Sequence, residues 1–340
     1  MVMMLLAMSV SAQKPDFRFS LNGGYLMPNN SRYSDFNAFT YGVDAAILWR
    51  FEGDSYWQHF WHWPWFGFKA SYARIPDNIA GDRLGLVGYM IGPLGQHFAW
   101  HFGLGFSGYT KPYQWTGDTN NIFIGSFLNC LIDLGFSYHL TKTTDVAFHV
   151  MHTSNGMLMR PNMGLNYFQL DLSYMLPNRQ QSMGNGELLK PSDFREREFG
   201  VALSGGAVMS REPEFTGHYP CYNLMLYYQH YTSPVFAFGG ALDIWGNFAD
   251  REIVKQEEMH YSMPLQVSAM GLVETFWGAL SMKVGLGVTI ATTQLVTNPI
   301  YERWGGYYNF SNCFTGVAVN AHAGRVEFIE WTFGYRIPVD

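Results

Sequence analysis

The chain has 340 residues, of which 14% are charged, 17% aromatic and 36 glycine, and its formal net charge is −6. Ordinary soluble domains carry about a quarter of their residues charged, and a helical membrane protein needs roughly 18 consecutive apolar residues, a run found nowhere past the first dozen positions. No basic block is present, so nucleic acid is not an expected partner.

In chain order, residues 1–12 come first, a short apolar run ending in Val10-Ser11-Ala12 before Gln13. This small-x-small pattern is that of a signal-peptidase site, and the segment reads as the remnant of an export signal. Period-2 alternation follows. In 17–27, Phe17, Phe19, Leu21 and Tyr25 oppose Arg18, Ser20, Asn22 and Gly24. The same pattern recurs at 40–51, 65–75, 83–92, 97–109, 122–140, 144–155 and 165–176, giving eight strands in the first half. A polar stretch, 177–196, then divides the chain, and DFRFSLNGGYLM near 16 resembles EFGVALSGGAVM near 198, as a duplication would. In the second half, alternation predicts strands at 197–209, 222–231, 235–247, 264–275, 281–291, 311–323 and 326–337.

Short connections such as 92–95, 141–144, 232–234 and 277–278 alternate with long polar ones at 110–121, 248–262 and 292–310. Strands of about ten residues with short turns on one side and long loops on the other are the pattern of outer-membrane barrels. Backbone groups in lipid must all be paired, so the sheet has to close. The fold class expected is therefore all-β: an antiparallel transmembrane barrel with about 14–16 strands in one barrel, or an eight-stranded barrel (13–176) followed by a second β unit (197–340). Aromatic residues crowd YWQHFWHWPWFGF (56–68) as an interfacial girdle would. His59 and His62 belong to that girdle and lack a third ligand for a metal; His97 and His101 read as lumen residues on one inward face. Cys130, Cys221 and Cys313 form no CxxC, so neither a zinc site nor a disulfide framework is expected, and no cofactor is implied.

The stretch HVMHTSNGMLMRPNMGLN (149–166) places polar groups on a greasy face. Along 144–155 the outward set is Val146, Phe148, Val150, His152 and Ser154, and on the next strand Asn166 shares that face with Phe168, Leu170 and Leu172. The hairpin brings Asn166 opposite His152. With a periplasmic N-terminus, odd-numbered strands run outward, so Ser154 ends at the outer leaflet, which is lipopolysaccharide in a Gram-negative bacterium. A serine beside a histidine is the minimal activated nucleophile, with the third group orienting the ring; a pair facing lipid implies a lipid ester as substrate.

HTSNG followed by RPNMGLN resembles the active-site signature of the outer-membrane lipid A 3-O-deacylases (PagL type) of the acyloxyacyl hydrolase family, a resemblance compatible in strand order over 13–176. It implies hydrolysis of the 3-position acyl ester of lipid A, with His152 as base and Ser154 as nucleophile. Asn162 and main-chain N–H groups of the loop carrying Asn155, Gly156 and Gly164 would stabilise the oxyanion. The family's third member is a glutamate, where this sequence has Asn166. An asparagine oxygen accepts the ring N–H but offers no charge to the imidazolium. The alternative is therefore an inactive outer-membrane barrel with a structural or channel role.

Overall fold

The computed structural model describes residues 14–28, 36–51, 53–75, 80–113, 121, 123–177, 195–210, 217–251, 264–293, 298–322 and 325–339. The export-signal segment 1–12 and most of the divide at 177–196 lie outside them. Sixteen strands make two closed barrels of eight. In the first, β1 (Asp16–Pro28), β2 (Ala38–Arg50), β3 (Trp65–Arg74), β4 (Arg83–Leu94), β5 (Phe98–Tyr109), β6 (Leu128–His139), β7 (Thr144–Ser154) and β8 (Leu165–Leu176) pair in sequence, and β8 pairs back with β1. A five-residue helix, α1 (Tyr56–Phe60), links β2 to β3. The second barrel comprises β9 (Arg197–Met209), β10 (His218–Ser233), β11 (Phe236–Asn247), β12 (Gln266–Trp277), β13 (Leu280–Thr292), β14 (Ile300–Phe310), β15 (Cys313–His322) and β16 (Arg325–Val339), closed by β16 on β9.

A single barrel of 14–16 strands is thus excluded, and an eight-stranded barrel followed by a second β unit is the arrangement found. The strand absent from the alternation count is β14, placed by the sequence reading inside the loop 292–310. Its inward residues Tyr301, Arg303 and Tyr307 are buried and large, while its outward set includes Glu302 and Gly306, so neither face shows the usual contrast. β6 begins at Leu128 rather than 122, with Ile124 reduced to an isolated bridge to Asn162. β4 runs through Leu94, which moves the turn to residues 95–97 and puts His97 in that turn instead of on the lumen face.

An eight-stranded barrel is just wide enough for side chains to fill its interior. Both lumens hold ion pairs, which offset the cost of burying their charges. In the first, Arg18 contacts Asp145 at 2.6 Å, Lys69 bonds Asp133, and His149 Nδ1–H donates to Asp133 at 2.8 Å. His101 lies among Tyr89 and Ser137, 2.5 and 2.8 Å from its two ring nitrogens. In the second, Arg336 bridges Glu198 and Glu274 (3.0 and 2.8 Å), and Arg303 bonds Asp243 and Glu330. The outward faces are apolar and exposed, as at Leu21, Phe39, Leu172, Leu203 and Trp331, the composition a lipid-facing barrel requires. No helix among the described residues is long and apolar enough to cross a membrane.

Each barrel closes at a glycine pair in its first strand. A Cβ on Gly24 would lie 2.3 Å from the Phe168 carbonyl oxygen, and one on Gly206 would lie 2.4 Å from that of Ile329. The like sequences LNGG and LSGG therefore mark the same seam in the two barrels. Gln169 lies beside Gly24 at this seam, as Glu330 lies beside Gly206 in the second barrel.

Candidate active site

The site is built on the end of β7 and the start of β8. Inward positions Asp145, Ala147, His149, Met151 and Thr153 are buried in the lumen, and Val146, Phe148 and Val150 are exposed on the opposite face. The alternation carries His152 and Ser154 onto the outer face. Register sets His152 opposite Asn166, and His152 Nδ1–H donates to Asn166 Oδ1 at 2.8 Å. An amide oxygen has no proton to give, so this bond fixes the Nδ1–H tautomer and leaves the Nε2 lone pair unengaged.

Ser154 stands two residues beyond His152 on one strand face, a spacing of about 7 Å between Cα atoms, and is 7% exposed. No hydrogen bond joins its hydroxyl to the His152 ring here; such contacts are commonly long without substrate and tighten on binding. The neighbouring strand β6 contributes Cys130 opposite Ser154 and Ile132 opposite His152. The sequence alone gives Cys130 no partner. Its outward position in β6, two residues from Ile132, is the signal that would have set it beside the serine. All three cysteines are free.

The loop residues divide into two kinds. Asn162 Oδ1 accepts the Asn155 main-chain N–H at 2.9 Å, so that N–H is engaged within the loop and is not presented to a reacting oxygen. This departs from the expectation that the main chain at Asn155 would donate to an oxyanion. Asn162 is itself held by its bridge to Ile124, and Met163 N–H donates to Phe123 O at 3.1 Å. Asn121 Oδ1 in turn accepts the N–H groups of Phe123 and Ile124. The other kind is conformational. Gly156 and Gly164 have φ of +62° and +69°, in the left-handed region that glycine adopts without a Cβ penalty. At Gly164 a Cβ would also meet His152 Cε1 at 2.8 Å, so its bare backbone is what lets the loop close on the imidazole.

The other histidines lie elsewhere. His59 is in α1 and His62 in the turn after it, and no metal-binding cluster of His, Cys, Asp or Glu occurs among the described residues. The second barrel has a histidine and a carboxylate near the corresponding strand ends: His322 Nδ1 lies 3.5 Å from Glu327 Oε1, while His322 Nε2 meets Gln266 at 2.8 Å. Its imidazole is thus engaged on both nitrogens, unlike that of His152.

Two family models match. Residues 37–175 match lipid A 3-O-deacylase (PagL), and residues 197–339 match the C-terminal domain of acyloxyacyl hydrolase. Similar solved structures include the crystal structure of the outer membrane enzyme PagL, at 20% identity over 46% of this chain and 98% of that one, with a TM-score of 0.35. A NanC porin structure is similar at 7% identity over 95% of this chain and 99% of that one, with a TM-score of 0.18. No curated protein matches.

Proposed function

We propose, on the premise that this chain belongs to the lipid A 3-O-deacylase (PagL) family through residues 37–175, that it is an outer-membrane ester hydrolase acting on lipid A. Within that class we assign it a serine mechanism directed at the 3-position acyl ester. The observation that carries this reading is the 2.8 Å bond from His152 Nδ1–H to Asn166 Oδ1, on the lipid-facing surface and two residues from Ser154. On this reading residues 13–176 are the catalytic half, 177–196 the connection, and 197–340 an accompanying β half.

In the reaction, Ser154 Oγ attacks the ester carbonyl carbon as His152 Nε2 takes the hydroxyl proton. The tetrahedral oxyanion is met by Asn162 Nδ2, since the oxygen of that amide already holds Asn155, and by main-chain N–H groups of the loop. Collapse expels the sugar hydroxyl, which receives its proton from His152, and leaves an acyl ester on Ser154. Water, deprotonated by the same imidazole, then releases the fatty acid. Asn166 keeps the ring in the productive tautomer throughout. It cannot balance the charge of the imidazolium, and acid-to-amide replacement in the serine-protease triad lowers the rate by about four orders of magnitude. The site is therefore a slow one. An inactive channel is the weaker reading, because both lumens are packed with buried ion pairs.

The test is acyl release from purified lipid A in detergent micelles by the wild-type protein and by Ser154→Ala. Wild type is expected to free a 3-linked fatty acid, and the variant to free none while migrating on gels as a folded barrel. Equal release by both would move the nucleophile elsewhere, and no release by wild type would overturn the assignment.

A further inference from the structure

Beneath the outward site, the lumen of the first barrel holds a charge whose nearest partners belong to the site's own strands. Arg83, on β4, is fully buried, and among the described residues it forms no ion pair. Its Nη1 approaches Met151 Sδ at 3.4 Å, and its guanidinium carbon sits 4.4 Å over the ring of Tyr167. Those two residues are directly opposite each other across β7 and β8, and the next pair along is His152 with Asn166. Tyr167 is held from a second direction by Tyr109, their hydroxyls 2.7 Å apart, and Tyr109 is the cross-strand partner of Arg83. Thr153, between His152 and Ser154, bonds Ser107 at 2.6 Å and the Cys130 carbonyl at 3.0 Å.

A buried guanidinium is costly to desolvate, and a thioether and an aromatic face offset that cost only partly. Met151 and Tyr167 alternate with His152 and Asn166 along their strands, so a shift of either inward residue is transmitted to its outward neighbour through one peptide unit. We propose that Arg83 is a positioning residue for the site: by standing on Met151 and Tyr167 together from across the lumen, it fixes the strand pair whose outer face carries the His152–Asn166 bond. The inference rests on the hydrolase reading for its effect on rate, but not for its effect on the ring.

The experiment compares wild type with Arg83→Gln and Arg83→Lys, each purified in detergent and checked for folded-barrel migration. In 15N spectra of histidine-labelled protein, with the His152 signal identified by His152→Gln, wild type should show a single Nδ1–H tautomer. Arg83→Gln should show a mixture, and Arg83→Lys, which keeps a cation over Tyr167, should return toward wild type. On lipid A, Arg83→Gln should lower kcat by about 10- to 100-fold with KM unchanged, the size expected for misplacing catalytic groups by a fraction of an ångström to about 1 Å. A folded Arg83→Gln protein whose His152 signal and kcat match wild type would overturn the proposal. Should Arg83→Gln fail to assemble, a folded Arg83→Lys with an unaltered His152 tautomer and wild-type kcat supports the brace; a folded Arg83→Lys whose His152 tautomers are mixed as fully as in Asn166→Ala, which removes the amide oxygen that His152 donates to, contradicts it. If wild type releases no acyl chain, the hydrolase reading fails, and the tautomer comparison still decides the role of Arg83.

Discussion

At the scale of single residues, the proposed mechanism makes Asn166 the group that limits how fast the site works. Its oxygen orients His152 at 2.8 Å but contributes no negative charge where the imidazolium forms. Asn166→Glu should therefore raise the rate of acyl release, by at least about tenfold, because a carboxylate accepts the same ring N–H and also stabilises its charge. Asn166→Ala should lower it, since the ring then samples the tautomer with its Nε2 protonated. Initial rates on lipid A micelles decide the point; equal rates in all three proteins would remove Asn166 from the machinery. The added carboxylate lies at the start of β8, where a charge on the lipid face near the membrane interface costs only about 0 to 1 kcal/mol, so the effect on rate stands clear of any effect on stability.

Among the strands, alternation carried much of the information. The facing of β7 and β8 was legible because every second residue from Val146 to Val150 and from Phe168 to Tyr174 is large and apolar, and one register then sets Asn166 against His152. β14 was not legible, because its lumen face carries tyrosines and an arginine while glycine and glutamate face out. The loop was hidden for another reason. Asn162 engages Asn155, and its own placement depends on Ile124 and Phe123, nearly forty residues away in sequence. No local periodicity encodes such a contact. Arg83 was equally silent, since an arginine at an inward position looks like any lumen residue until its neighbours across the barrel are known. The seam glycines give an element-level prediction. Gly24→Val would drive a side chain into the Phe168 carbonyl and should prevent β1 from pairing with β8, whereas Gly306→Ala, with nothing within 4 Å, should be tolerated. Overpacking of this kind typically costs about 1–3 kcal/mol, and more where backbone cannot yield. Loss of heat-modifiable migration in the first variant alone is the expected result; normal migration of Gly24→Val would mean that the seam has slack.

At the scale of the whole molecule, two closed barrels share one architecture but differ in what they hold. The first puts an oriented imidazole with an unengaged Nε2 beside a serine on its outer face, and the second engages both nitrogens of His322. Both interiors carry buried ion pairs, Arg18 with Asp145 in one and Arg336 with Glu198 and Glu274 in the other. The proposed reading puts the chemistry on the lipid-facing surface, with a lipid ester as its substrate. The most direct test of that claim is the mass spectrum of lipid A from Gram-negative cells carrying the wild-type protein, compared with cells carrying Ser154→Ala at equal abundance in the outer membrane. The account predicts a lipid A species lighter by one 3-linked acyl chain in the wild-type cells alone; identical spectra from the two strains would contradict it.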